Sequence, residues 1–482
     1  MTGPEQARSD AAFNDLPVLG RERIWGFWDF ASVNVGLAIA TWAFLIGGST
    51  ALFVGAKTGI AAILIGNVIA VSLMALATCI PSAKYGLEQY TALRSVFGSN
   101  GTRLIVLAVV PLLSWGWNAV LAIMFGRAAA NVSNAAFATD AGPNGAVVIA
   151  FAFAAIAISW FVVVRGPASI EWVNKIVAPG LAIIALVMLV LIFAGSSWSE
   201  LRAAEPIEPF GDRTLDFMIA IELNLAAGFS WWPLMGNLAR LTKSQRAAFW
   251  PNMLGLYAAA ALASVVGLLA ALVLGDSDPT VWMIPLGGVA LGALALVFIA
   301  FANVTSMVGQ TYSSCLALFR LGDTARRLRW ATVAGALLLP AAVGVLFPAA
   351  VYDNFFKFLA WQSVALASLC GIYFVDFFFL RHRRLDARGL YEPESRSRYA
   401  FWAGLNPAAL VALAVGSAVY LLLLNPISFE QANLFRFVSA SMPAFLAATL
   451  THVLLTKLII QPLGKGGYTD PVKEGDDEHD RD

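Results

Sequence analysis

The 482-residue chain predicts an all-α integral membrane protein. Its twelve transmembrane helices are expected to form a five-plus-five inverted repeat with breaks in helices 1 and 6. Three observations lead there. Hydrophobic residues make up 59% of the chain and charged residues 13%, where soluble domains carry roughly a quarter charged, and the mean hydropathy is +0.74. Apolar runs near the length a bilayer demands, about 20 residues, recur along the whole sequence. The first and sixth of these runs carry helix-breaking residues and lie five spans apart, an odd number that forces opposite orientations. The net charge of +1 gives no footprint for a nucleic-acid partner. Cys79, Cys315 and Cys370 all fall in apolar runs, so no disulfide framework is expected.

In chain order, residues 1–24 read as a polar cytoplasmic tail without the apolar core of a signal peptide. Predicted spans follow at 28–54, 59–80, 103–133, 145–164, 172–195, 216–239, 248–274, 284–319, 329–348, 355–379, 401–424 and 434–457. The first five-helix repeat is assigned to 25–200, the second to 201–390, the added helices 11 and 12 to 391–460, and an acidic, disordered tail to 461–482. Basic residues cluster after every even-numbered span: Lys84, Arg94 and Arg103; Arg165 and Lys175; Arg240, Lys243 and Arg246; Arg320, Arg326, Arg327 and Arg329; and Arg381, Arg383, Arg384 and Arg388. By the positive-inside rule both termini are cytoplasmic.

The first span, DFASVNVGLAIATWAFLIGGSTALFVG, is punctuated by Gly36, Gly47 and Gly48 and carries Asn34, Thr41 and Ser49. Glycines in membrane helices also serve close packing, so each has two readings. The sixth, ELNLAAGFSWWPLMGNLAR at 222–240, meets Gly228 and then Pro233 with Phe229, Trp231 and Trp232 between. Glycine and proline weaken a helix there, and freed backbone at membrane depth survives only where it lines a cavity or finds protein partners. A broken apolar helix beside aromatics is a binding-site candidate; a proline-kinked packing helix is the alternative.

In the eighth span Thr305 and Ser306 follow Ala302 by three and four residues, which brings one carbonyl and two hydroxyls to one side of a helix. A small hard cation suits such neutral oxygens, with Gly36 and Ile39 of the first span as candidate carbonyl donors. Hydroxyls bonding back to their own helix are the alternative. The third span places Trp117 near mid-depth with Asn118 beside it, and the eighth continues to Gln310. An indole suits the face of a planar heterocycle, and amides suit its edge. Glu222 is an intramembrane carboxylate, a functional hypothesis by default. No arginine lies deep enough to clamp an anion, and no His or Cys cluster or nucleophile–base pair is present, so an enzyme is not expected. His452 reads as a packing or hydrogen-bonding residue.

These residues resemble the nucleobase–cation symporters of the purine–cytosine permease type. WGFWDF at 25–30, GLAIATWAFLIG at 36–47, GNVIA at 66–70, YGLEQYTALRSVFG at 85–98, GWNAVLAIMFG at 116–126 and SWWPLMGNLAR at 230–240 carry the similarity, nearest to the hydroxymethylpyrimidine and cytosine carriers. The resemblance implies the leucine-transporter-type fold, alternating access and coupling to Na+ or H+. It implies substrate stacking on Trp117 and a sodium site at Ala302, Thr305 and Ser306. Asn237, Gln310 and Ala43 depart from the branch, which has acidic residues at or near these positions.

The expected function is import of a planar nitrogen heterocycle, with an amino-acid-like solute carrier or passive facilitator of the same fold as the alternative. Expected substrate residues are Trp117, Asn118, Glu222, Gly228, Phe229, Trp231 and Gln310; expected cation residues are Gly36, Ile39, Ala302, Thr305 and Ser306. No organic cofactor is expected. The protein is expected to be a monomer in the cell membrane.

Overall fold

A computed structural model describes residues 16–319, 321, 327–393 and 396–468. Most of the acidic tail, the first part of the N-terminal tail and the basic residues Arg320 and Arg326 lie outside that set. The described residues are helical throughout, with isolated bridges and no strand. Among the described residues, nine helices are long and apolar enough to cross a bilayer, or ten when a bent pair in the first span is counted once. Two further apolar helices, Trp330–Gly344 and Pro407–Leu423, fall at the ninth and eleventh expected positions but have only 15 and 17 residues, short of a full crossing.

The first span consists of Phe27–Ala38 and Thr41–Phe53, bent by 53° at Ile39–Ala40. Its glycines are not the cause. Gly36 is helical, and Gly47 and Gly48 lie in the second half, where an added Cβ would overlap the Ser264 and Ser277 carbonyl oxygens. Gly267 of the seventh span meets Phe44 in the same way, so these two helices pack backbone to backbone. Here the close-packing reading of glycine holds.

The sixth span consists of Arg213–Phe229 and Trp232–Ala239, interrupted at Ser230–Trp231. Gly228 is helical, and a Cβ on it would press on Ala70 of the second span at 2.5 Å. Pro233 stands in the first turn of the second half, where its missing N–H is tolerated, and it leaves the carbonyl of Phe229, the last residue of the first half, without its helical donor.

The inverted repeat is also written in turns the sequence reading passed over. Left-handed Gly86 (φ 65°) and Gly275 (φ 72°) end the second and seventh spans. An acidic residue then caps a short helix: Glu88 accepts from the Tyr90 and Thr91 amides, and Asp278 from the Thr280 amide. A second left-handed glycine, Gly98 (φ 76°) or Gly288 (φ 68°), turns that helix into the third or eighth span. The same punctuation thus occurs once in each half, in corresponding places.

Packing separates two groups. Spans one and two contact each other and both six and seven, and spans three, four, eight and nine all contact one another. The two helix breaks face the second group, and the candidate site lies between.

If backbone contact holds the first and seventh spans together, Gly47→Ala and Gly267→Ala will each cost about 1–3 kcal/mol. That appears as a lowered apparent Tm in detergent. Gly195→Ala, whose Cβ meets nothing within 4 Å, will leave the Tm unchanged or slightly raised.

Candidate functional site

A partly open cavity, with ≈ 340 Å³ of space that includes open solvent, lies where the two breaks meet the third and eighth spans. Three indoles dominate it: Trp42 just after the first break, Trp231 at the second, and Trp117 of the third span. Trp42 stands edge-on to both others, with ring centroids 6.2 Å from Trp117 and 5.5 Å from Trp231. The polar lining is neutral, consisting of the hydroxyls of Ser230 and Ser306 and the amide of Gln310. The Gln310 amide makes no hydrogen bond within the protein, so both its donor and its acceptor are available to a guest.

Beside the cavity, the eighth span holds the first break open. Asn303 accepts from the Thr41 amide at 3.2 Å and donates to the Thr41 hydroxyl at 2.8 Å, capping the second half-helix. Thr305 donates to the carbonyls of Gly36 and Ala302, both at 2.9 Å, and Ser306 donates to Leu37 at 2.9 Å. The orphan groups of both half-helix ends thus find partners. Three carbonyl and two hydroxyl oxygens converge here without a charged group. That donor set fits a hard monovalent cation, since rotating the two hydroxyls turns their lone pairs inward. Ile39 lies in the break itself, but the hydroxyls reach Gly36 and Leu37 instead. Ser306 belongs to both places, lining the cavity and reaching the first-span carbonyl.

Four expected substrate residues are placed elsewhere. Phe229 points away from the cavity and stacks on Phe445 at 6.3 Å; helical parity turns it from the face that Trp231 occupies. Gly228 packs on the second span. Asn118 donates to Ser114 and Thr311, both at 3.2 Å, behind Trp117, and so ties the third span to the eighth. Glu222 accepts from the Ala440 and Ser441 amides at 3.0 Å and from the Ser441 hydroxyl at 2.6 Å. It caps the N-terminus of helix Ser441–Leu455, where a carboxylate is favoured.

Several other charges within spans are paired. Arg127 meets Asp278 at 3.0 Å, Asp29 meets Lys175 at 2.9 Å, and Asp376 meets Arg381 at 2.7 Å and His452 at 3.2 Å. None of them lines the cavity. Asn237 bridges the Gln89 amide to the Ser313 carbonyl, and the Ala43 carbonyl accepts from Ser264.

Two contributors went unnoticed in the sequence. Trp42 carried a signal, being the first large aromatic after the break. Gln362 carried another, as a lone amide in an apolar run of the tenth span, where polar groups are costly; it accepts from the Trp117 indole N–H at 3.0 Å.

Comparison with known proteins decides the family. The profile of permeases for cytosine/purines, uracil, thiamine and allantoin matches residues 17–442. The chain belongs to this family. The permease is 25% identical to the hydantoin permease of Microbacterium maritypicum, over 86% of this chain and 85% of that one. It is 24% identical to a purine-uracil permease of Arabidopsis thaliana, over 83% and 69% of the two chains. It also superimposes on a nucleobase-cation-symport-1 family transporter solved in a closed conformation with bromovinylhydantoin bound. That match has a TM-score of 0.75 and 21% identity, and covers 97% of this chain and 98% of that one. The fold is therefore the leucine-transporter type expected from the sequence. The permease is a multi-pass membrane transporter of a symporter family.

Glu222→Gln places an amide NH₂ where three donors already converge and leaves buried groups unmatched, at a cost of about 1–3 kcal/mol. The apparent Tm will fall. Substrate affinity, measured by competition binding on the folded fraction, will stay within about twofold of the parent, because the side chain caps a helix and does not touch the cavity.

Proposed function

We propose that the permease imports a neutral planar nitrogen heterocycle, a nucleobase or a close relative, in symport with Na+. The observation that carries this reading is the shared position of Ser306, on the wall of the aromatic cavity and within the oxygen cluster of the first break. Trp117 and Trp231 offer π-faces to a ring, and Gln310 offers a donor and an acceptor to its edge. The cavity's lack of charge favours a neutral solute. It also favours Na+ over H+, because no titratable side chain lines the cavity to carry a coupled proton. Names borne by the relatives, hydantoin and purine-uracil permease, agree with this substrate class.

The cation would sit among the carbonyls of Gly36, Leu37 and Ala302 and the hydroxyls of Thr305 and Ser306, with Ile39 beside them. A cation there favours the arrangement in which the first and eighth spans are joined. Since Ser306 and Trp42 belong to the cavity, the same arrangement completes the substrate site, and each ligand raises the population of the state the other prefers. One inward charge contributes about 2.3 kcal/mol per 100 mV, which corresponds to roughly fiftyfold accumulation. The basic loops support a cell-membrane orientation with both termini cytoplasmic, and the site is complete within one chain, which supports a working monomer.

Uptake into proteoliposomes of labelled cytosine, uracil, hypoxanthine, allantoin, hydroxymethylpyrimidine and hydantoin tests the proposal. One ring is expected to accumulate under an inward Na+ gradient, and Thr305→Ala/Ser306→Ala is expected to abolish that dependence. Trp117→Ala and Trp231→Ala will weaken uptake about tenfold or more in KM, while Phe229→Ala will not. Uptake that follows a pH gradient and ignores the double variant would overturn the sodium assignment. Accumulation of alanine or leucine in place of every ring would overturn the substrate class.

A further inference from the structure

The tenth span contributes no side chain to the cavity, yet it grips the indole that does. Phe355 and Phe358 stand edge-on to Trp117 with centroids at 5.8 and 5.7 Å. Gly116 makes room for this: an added Cβ would overlap the Phe358 ring. Four residues beyond Phe358, one helical turn on, Gln362 presents its Oε1 to the Trp117 Nε1–H at 3.0 Å. Gln362 is 3% exposed, and its Nε2 is buried with no protein partner. A buried amide with an unmatched donor is costly, so packing alone does not account for a glutamine here; an apolar side chain of similar shape would fill the space at lower cost. What glutamine adds is one acceptor aimed at one atom. An indole has one polar atom, and fixing it fixes the ring plane about the side-chain torsions.

We propose that Gln362 is a positioning residue for substrate: by holding the Trp117 N–H it sets the plane of the indole on which the ring stacks, and so sets ring affinity from the tenth span. This rests on the reading of Trp117 as the stacking surface. Gln362 does not touch the guest. Its effect passes through a single hydrogen bond and is felt in the guest's affinity more than in turnover.

The experiment is a double-mutant cycle on Na+-driven uptake of whichever ring the parent transports. Gln362→Met and Gln362→Leu keep the volume and remove the acceptor. Gln362→Glu keeps an acceptor and replaces the amide NH₂ by a carboxyl oxygen. Trp117→Phe keeps a π-face and removes the N–H. Expected is a KM raised about five- to tenfold in the Met and Leu variants with kcat within twofold, and a KM near the parent's in the Glu variant. In the Trp117→Phe background, Gln362→Met is expected to add nothing further. Melting curves identify which apolar variant is folded, and either one suffices.

Parent-like KM in a folded apolar variant would overturn the proposal. So would an equal loss in Glu and Met, which would assign the role to the amide donor, or an additive loss on Trp117→Phe. Failure of the parent to transport any ring would instead strike the functional reading on which the proposal rests, and the two failures are thereby told apart.

Discussion

A backbone amide or carbonyl left unpaired in hydrocarbon costs several kcal/mol, and that constraint governs this molecule. Two helices are interrupted at mid-membrane, and each interruption frees polar groups that must find partners. In the first span they find them on one face of the eighth. Asn303 takes the amide and hydroxyl of Thr41, while Thr305 and Ser306 take the carbonyls of Gly36 and Leu37. The eighth span is therefore polar at Asn303, Thr305 and Ser306 because the first is broken, and the first can be broken because the eighth is polar. Neither feature is stable alone. The break brings Trp42 to the wall of the aromatic cavity, so that cavity is itself a product of this arrangement.

The sequence disclosed the class of fold because the bilayer imposes long-range regularities on composition. Apolar runs, basic loops and two interrupted spans in register are read without knowing any contact. The location of the breaks was less legible. Gly228 and Pro233 bracket the second interruption: the first is a packing glycine, and the second opens the next half-helix and withdraws the donor that would have continued the first. The gap itself falls at Ser230–Trp231. The left-handed glycines at 86, 98, 275 and 288 were present in the sequence as paired punctuation, but a glycine's φ sign is not written in its identity.

The site residues divide along the same line. Thr305 and Ser306 were legible because i, i+3 and i+4 spacing places them on one side with Ala302. Trp231 and Phe229 are two residues apart, so only one faces any given cavity, and sequence alone left the choice open. Glu222 illustrates the opposite error. A carboxylate in an apolar run invites a functional reading, but the amides of Ala440 and Ser441 come from a helix more than two hundred residues away and satisfy it as a cap. Burial of charge marks a place where the structure has supplied partners, and for Glu222 those partners are a helix end.

If a cation occupies the oxygen cluster and a ring the aromatic cavity, coupling between them follows from how few parts the two places share. The Leu37 carbonyl accepts from Ser306 and, at 3.4 Å, from the Trp42 indole N–H. One oxygen at the break therefore touches a residue of the cation cluster and a residue of the aromatic wall. If a cation draws the Leu37 carbonyl and the Ser306 hydroxyl toward itself, the Trp42 contact must re-form around the new position. A ring lodged against Trp42 constrains that same contact from the other side. No long relay is needed for cation and substrate to sense each other. The oxygen cluster and the aromatic cavity share Ser306 of the eighth span, and the Leu37 carbonyl is bonded to both.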